Sequence, residues 1–109
     1  MSGFHKEKLA SLIRDEISLL ITRELDVDGA LVTVTDVELS PAGESALIGV
    51  SVIPSSKKAA VLAALESHRR DFQRHLIKRL KMRHVPFIRF CLDEGPSAAA
   101  AVEKHFLNK

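Results

Sequence analysis

Eight Lys and Arg side chains lie between His68 and Arg89, where the only acid is Asp71. Eight positive charges against one negative charge give this basic segment +7, although the formal charge of the whole chain is only +2. Clustered positive charge attracts polyanions by Coulomb attraction and by releasing counterions that are condensed on phosphates. A solvated helix face carries charge of the same kind, so the composition alone leaves both interpretations open.

Other chemistries find little support in the residues and their spacing. His68, His75 and His84 lie in the basic segment, but metal sites usually need ligands on one face at i, i+3 or i+4, and separations of seven and nine residues do not provide this. Nearby positive charge would also repel a cation, so we expect no metal and no cofactor. Ser40 and Ser97 have no His and Asp partners at recognisable spacing, and all five glycines are isolated. We therefore predict that the protein is not an enzyme.

Length and composition fit one domain. The chain has 109 residues, of which 46% are hydrophobic and 28% charged, enough for one hydrophobic core but not for two. Apolar runs such as Ala98–Val102 are far shorter than the ~20 residues that span a bilayer. The single Cys91 cannot form an internal disulfide, and residues 1–8 lack the apolar core of a signal peptide. We expect a single domain over residues 1–109, in the cytoplasm and without membrane attachment.

Apolar periodicity predicts the elements that position the basic segment. A 3.6-residue period, which includes Leu12, predicts a helix over residues 5–25. Alternating apolar residues predict a hairpin of two strands, residues 30–40 and 45–53. A third strand is predicted over residues 87–93.

A second helical region is predicted between the hairpin and the last strand. It opens at Ser55 or Ser56, either of which can cap a helix, and it ends at Val85 because a proline follows. Residues 67–71 contain no large apolar side chain, so a kink or break is predicted there. The apolar stripe after the break is Phe72, Leu76, Ile77 and Leu80. Arg74, Lys78 and Lys81 fall opposite that stripe and project to one side.

The predicted order is helix, strand, strand, helix, helix, strand. Three strands form one sheet, and the helices pack on one face of it, which makes a two-layer α+β domain. Ser97 is in position to cap a short last helix.

Three stretches, in this order and spacing, resemble the ribosome-binding factor A family. They are Val32–Ser40, Ala46–Val52 and Lys78–Pro86, the last leading into Arg89-Phe90 and Asp93. The resemblance covers roughly residues 6–93 and implies a type II KH-like fold, with a core of about residues 5–94 and a C-terminal extension at 95–109. The family usually has an Ala-x-Gly kink between its second and third helices, where this chain has His68-Arg69-Arg70.

The resemblance also implies a function. It implies a monomeric, non-enzymatic factor that binds the small (30S) ribosomal subunit and its 16S rRNA during late maturation and supports growth in the cold. Arginine and lysine would bind the phosphates, and arginine can also stack on bases. The predicted RNA-binding residues are Arg69, Arg70, Arg74, Lys78, Lys81 and Arg83, with Arg79 and Arg89 as weaker candidates.

Recognition by base stacking is expected to be minor. The chain has no Trp or Tyr, and its five Phe residues are mostly assigned to the core, so shape and backbone contacts should dominate. Two alternatives stay open at this point. One is a protein-interaction module that uses the exposed sheet face or an edge strand, and the other is a general KH-like RNA binder not tied to ribosomes.

Overall fold

The computed structural model describes the backbone of residues 2–93 and the side chains of residues 6–93. Its elements are α1 (Ser2–Glu24), β1 (Leu31–Leu39), β2 (Ser45–Ile53), a 3₁₀ turn (Ser55–Lys57), α2 (Lys58–Leu80) and β3 (Phe87–Leu92). The three strands and the first helix lie close to their predicted positions. The predicted last helix at Ser97 lies outside the described residues.

The strands form one mixed sheet in the order β1-β2-β3. Strands β1 and β2 are the predicted antiparallel hairpin, whereas β3 runs parallel to β2. A parallel pair needs a long crossover connection, and α2 supplies it. The hairpin turn is fixed by the Ser40 hydroxyl, which accepts hydrogen bonds from the backbone amides of Glu44 and Ser45 at 3.1 Å each. Gly43 takes a positive φ of 73° in this turn, a conformation that glycine adopts without a steric cost.

The core lies between one face of the sheet and the two helices. Helix α1 packs mainly on β1 and helix α2 mainly on β3. Strand β1 contributes Val37, which is 8% exposed. Fully buried side chains come from α1, β2, α2 and β3; they include Ile13, Ile17, Ile48, Val50, Leu65, Phe72, Leu76 and Ile88. This arrangement is the predicted two-layer α+β domain with helices on one face.

The predicted break at residues 67–71 is wrong, because α2 is a single uninterrupted helix. It contains neither glycine nor proline, so nothing in its backbone favours an interruption. The break was predicted because no large apolar residue lies in this stretch. The ring of His68 packs there instead, 5.5 Å from the ring of Phe72. Its Nδ1 donates to the Ala64 carbonyl oxygen at 2.9 Å, one turn back along the helix.

Both ends of α2 also differ from the prediction. The helix ends at Leu80, well before Pro86, because Lys81 takes a left-handed conformation with φ 51° and ψ 42°. At the other end, residues 55–57 form the 3₁₀ turn, and no side chain makes a capping hydrogen bond at the start of this turn or of α2. Two residues of the predicted apolar stripes are largely exposed, Leu12 at 42% and Ile77 at 51%.

Gln73 attaches α2 to the edge of the sheet. Its side-chain nitrogen donates to the Pro86 carbonyl at 2.8 Å, and its side-chain oxygen accepts from the Ile88 backbone amide at 2.9 Å. A strand edge presents unpaired backbone groups, and here one glutamine amide pairs with two of them. The bridge fixes the start of β3, and therefore Phe87, against the helix.

Candidate nucleic-acid interface

The outward side of α2 carries a line of exposed basic residues. Arg70, Arg74 and Lys78 follow one another at four-residue intervals, so they lie on one helix face, and all three are exposed. Lys81 and Arg83 follow in the connection to β3 and are also exposed. We call these five residues the basic surface. Five of the eight predicted RNA-binding residues thus form the basic surface.

An ion pair on this surface leaves its arginine accessible. Arg74 Nη1 lies 3.3 Å from Asp71 Oδ1, and the two side chains are 66% and 69% exposed. An exposed pair of this kind contributes little to stability, roughly 0 to 1 kcal/mol, and is screened by salt. A phosphate can therefore compete for the guanidinium of Arg74 at small cost.

Arg69 lies on the flank of α2 that faces β3. Its Nε donates to Glu66 Oε1 at 3.1 Å, and its guanidinium carbon lies 5.1 Å from the ring centroid of Phe87. Arg69 is therefore partly buried between an acid of its own helix and an aromatic ring of the sheet edge. Arg69 therefore lies beside the basic surface but is not one of its exposed residues.

Arg79 lies on the opposite flank of α2 and connects the two helices. Its Nη2 donates to Glu16 Oε2 at 3.4 Å, and His75 Nε2 donates to Glu16 Oε1 at 3.1 Å. Burial raises the pKa of Glu16, but the hydrogen bonds and positive charges of His75 and Arg79 outweigh it and hold the pKa below 4.5. Arg79 thus has a structural partner, which was not predicted from the sequence.

We expect the Glu16 cluster to make stability depend on pH on the acid side. Because the pKa of Glu16 is lower in the folded state, its contribution is present above pH 4.5 and is lost as the pH falls through the folded-state value. Glu16→Gln should reduce the free energy of unfolding near neutral pH by on the order of 1 kcal/mol, after allowance for the exposure of Arg79. Urea denaturation from about pH 6 to about pH 3 measures this.

The variant should lose stability less steeply than the wild type as the solution is acidified. Glu24→Gln, which removes an exposed carboxylate of the same helix, is the matched control. Parallel curves for wild type and Glu16→Gln would show that the cluster contributes nothing.

Arg89 lies apart from the basic surface, on the sheet face that points away from the helices. Its neighbour Ile88 is buried in the core, so the alternation of β3 turns Arg89 outward. In the sheet register Arg89 pairs with Leu47, which pairs in turn with Glu38. Of the eight predicted residues, Arg79 and Arg89 are the two that the structure separates from the others.

The outer sheet face is acidic near the far end of β3. Asp36, Glu38 and Asp93 lie there, and Asp93 Oδ2 accepts a hydrogen bond of 2.6 Å from the Thr35 hydroxyl. Burial raises the pKa of the Cys91 thiol, and the charges of Asp93 and Asp36 raise it further. Negative charge disfavours phosphate, so the basic surface rather than this face suits RNA.

The exposure of Phe87 beside a basic residue was not predicted from the sequence. Phe87 is 48% exposed at the start of β3, beside Arg69. The alternation of β3 puts Phe87 on the same face as Arg89 and Cys91, opposite Ile88, and that was the available signal. Its contact with a basic residue of α2 depends on how the helix packs on the sheet, which a linear pattern does not specify.

The described part of the chain shows neither a metal centre nor a membrane span. Residues 6–93 include no group of three or more His, Cys, Asp or Glu side chains arranged to hold a metal ion. Over the same part, no helix is both long and apolar enough to cross a bilayer.

Comparison with known proteins identifies the family. A family model described as ribosome-binding factor A matches residues 5–106, which is nearly the whole chain. The chain belongs to the ribosome-binding factor A family. Ribosome-binding factor A of Thermomicrobium roseum is 35% identical over 106 residues, covering 95% of this chain and 82% of that protein.

Solved structures of ribosome-binding factor A share the fold. The crystal structure from Thermus thermophilus aligns with a TM-score of 0.69 and 25% identity, over 80% of this chain and 93% of that one. A homology model of the Thermus thermophilus factor, fitted into a cryo-EM map of its 30S complex, aligns with a TM-score of 0.65 and 25% identity, over 75% of this chain and 88% of that one. These likenesses confirm the predicted KH-like α+β fold.

Proposed function

We propose that this protein binds the small ribosomal subunit through its basic surface and assists late maturation of the 16S rRNA without catalysing a reaction. The observation that carries the proposal is the exposed line of Arg70, Arg74 and Lys78 on α2 of a ribosome-binding factor A fold. A relative of the same fold is described in complex with the 30S subunit, which supports the choice of partner.

The spacing of the basic line suits an RNA backbone. Side chains four residues apart on a helix are separated by a rise of about 6 Å, which is close to the distance between successive phosphates of an RNA strand. Contacts of this kind neutralise phosphates and release counterions, and they carry little sequence information. Binding would therefore depend strongly on salt and on the shape of the RNA.

Several further properties belong to this proposal as predictions. The chain would act as a monomer and as one domain over residues 1–109, in the cytoplasm and without a cofactor. The link to growth in the cold also stays a prediction. Each follows from the family resemblance or from composition rather than from a contact in the structure.

A protein-interaction module is the second candidate, and one feature favours it. Leu31 and Ile53 are direct cross-strand neighbours at one end of the sheet, and they are 61% and 62% exposed. Leu31 belongs to the edge strand β1, and exposed apolar residues at a sheet edge are a common docking point for another protein.

Sedimentation distinguishes these candidates. We expect the purified protein to co-sediment with small subunits but not with large subunits, and to be released as salt is raised from about 50 mM to about 300 mM. General RNA binding predicts equal retention on both subunits. A protein-interaction module predicts retention that is insensitive to salt, and either of these results would contradict the proposal.

A further inference from the structure

The described residues place one exposed aromatic ring next to the basic surface. Phe87 is 48% exposed although the guanidinium of Arg69 lies over its ring, 5.1 Å from the centroid. The exposed area therefore comes largely from the ring face and edge that Arg69 does not cover. A half-exposed Phe on a strand leaves apolar surface in water, which is unfavourable unless a partner covers it.

The pair is held in place by neighbouring contacts. The Gln73 amide bonds the backbone on both sides of Phe87, at Pro86 and Ile88. Glu66 holds the Nε of Arg69 at 3.1 Å and so orients the guanidinium plane. The backbone amide of Phe87 donates to the Glu44 carbonyl at 2.9 Å, which joins the start of β3 to the hairpin turn. A rigid platform of this kind loses little conformational entropy when it binds a flat ligand.

We propose that Phe87 and Arg69 form a stacking site for one unpaired base of the RNA that the basic surface binds. This inference rests on the proposed function and adds to it the kind of nucleotide that is recognised. An aromatic ring and a guanidinium plane are the two side-chain surfaces on which unstacked bases of single-stranded RNA pack. Every base has such a face, so the site would select an unpaired nucleotide and not a sequence.

Charge around the site favours RNA over an apolar protein segment. Arg69 is itself part of the platform, and Arg70 follows it on the exposed side of α2. A base that stacks on Phe87 brings its own phosphate within reach of this positive charge, whereas an apolar peptide would gain nothing from it.

Binding to purified small subunits at several salt concentrations tests the site. Phe87→Leu keeps an apolar strand residue but removes the ring, and we expect it to weaken binding roughly 5- to 30-fold. The dependence of affinity on salt should stay that of the wild type, because no charge is lost. Phe87→Tyr should bind as the wild type does. Arg69→Lys keeps the charge but lacks the planar guanidinium, so it should weaken binding as Phe87→Leu does.

A second readout separates an RNA contact from a protein contact. After ultraviolet irradiation of the complex, mass spectrometry should find a nucleotide attached to the peptide that contains Phe87. Unchanged affinity of Phe87→Leu, at an unchanged unfolding temperature, would overturn the stacking site. A ribosomal-protein adduct on that peptide, with no nucleotide adduct, would overturn it as well. In either case binding by the wild type would leave the proposed function intact, whereas no binding by the wild type would refute that function.

Discussion

Charge reversal at the centre of the basic surface is expected to abolish most of the affinity for the small subunit. Arg74→Glu combined with Lys78→Glu should weaken binding by about 100-fold near 0.15 M salt, because two phosphate contacts become two repulsions. The slope of log affinity against log salt should fall by about 2, one for each phosphate contact that is lost. Co-sedimentation over a salt series measures both quantities.

A matched variant separates a local contact from a general charge effect. Arg14→Glu combined with Arg23→Glu makes the same change in net charge on α1, at two other exposed positions. We expect it to bind with nearly the affinity and salt dependence of the wild type. If both double variants lost affinity equally, the attraction would depend on net charge and the basic surface would have no special role.

Truncation of Phe72 is expected to give the largest loss of stability. Phe72 is 1% exposed at the centre of the core, with ring centroids of His68 at 5.5 Å and Phe90 at 6.5 Å. Phe72→Ala removes these contacts and leaves a cavity, which costs about 3 to 5 kcal/mol. Domains of this size have roughly 5 to 15 kcal/mol in total, so the variant should be marginally folded. Urea denaturation followed by circular dichroism measures the change.

Phe87→Ala supplies the control, since it deletes the same atoms from a half-exposed site. We expect it to cost less than about 1.5 kcal/mol, because solvent rather than a cavity replaces the ring. A small effect of Phe72→Ala, similar to that of Phe87→Ala, would contradict the packing of α2 on the sheet.

The hairpin was predictable from local pattern. Apolar residues alternate through Ala46 to Val52 and, with one change of phase after Val34, through Val32 to Leu39, and a polar turn with Pro41 and Gly43 separates the two runs. The change of phase coincides with a register shift between Val34 and Asp36 in the hairpin. The positive face of α2 was predictable for a similar reason. Arg74 and Lys78 lie opposite buried residues on any helical wheel, whatever the helix packs against.

The predictions that were wrong depended on interactions between distant segments or on helix-breaking residues that α2 does not contain. The break at residues 67–71 was inferred from missing apolar side chains, yet His68 packs on Phe72 and no glycine interrupts the helix. The end of α2 at Leu80 depends on the left-handed backbone of Lys81. This conformation is usually marked by glycine or asparagine, so a lysine gives no sign of it in the sequence.

The roles of individual basic residues were the least predictable part of the site. Arg79 pairs with Glu16, which precedes it by 63 residues, and that contact exists only because the two helices pack side by side. Arg69 reaches Phe87 only because α2 crosses back over the edge of β3. Charge in the sequence predicts the segment that we propose to bind RNA, whereas tertiary packing gives individual charges their partners.

Crosslinking on purified small subunits tests the role of the basic surface most directly. Protein and RNA would be joined in the native complex, and mass spectrometry would locate the crosslinked residues on the protein. We predict RNA crosslinks at Arg70, Arg74, Lys78 and the connection that follows α2. Crosslinks confined to α1 or to the outer sheet face, with the basic surface unmodified, would contradict the proposed interface.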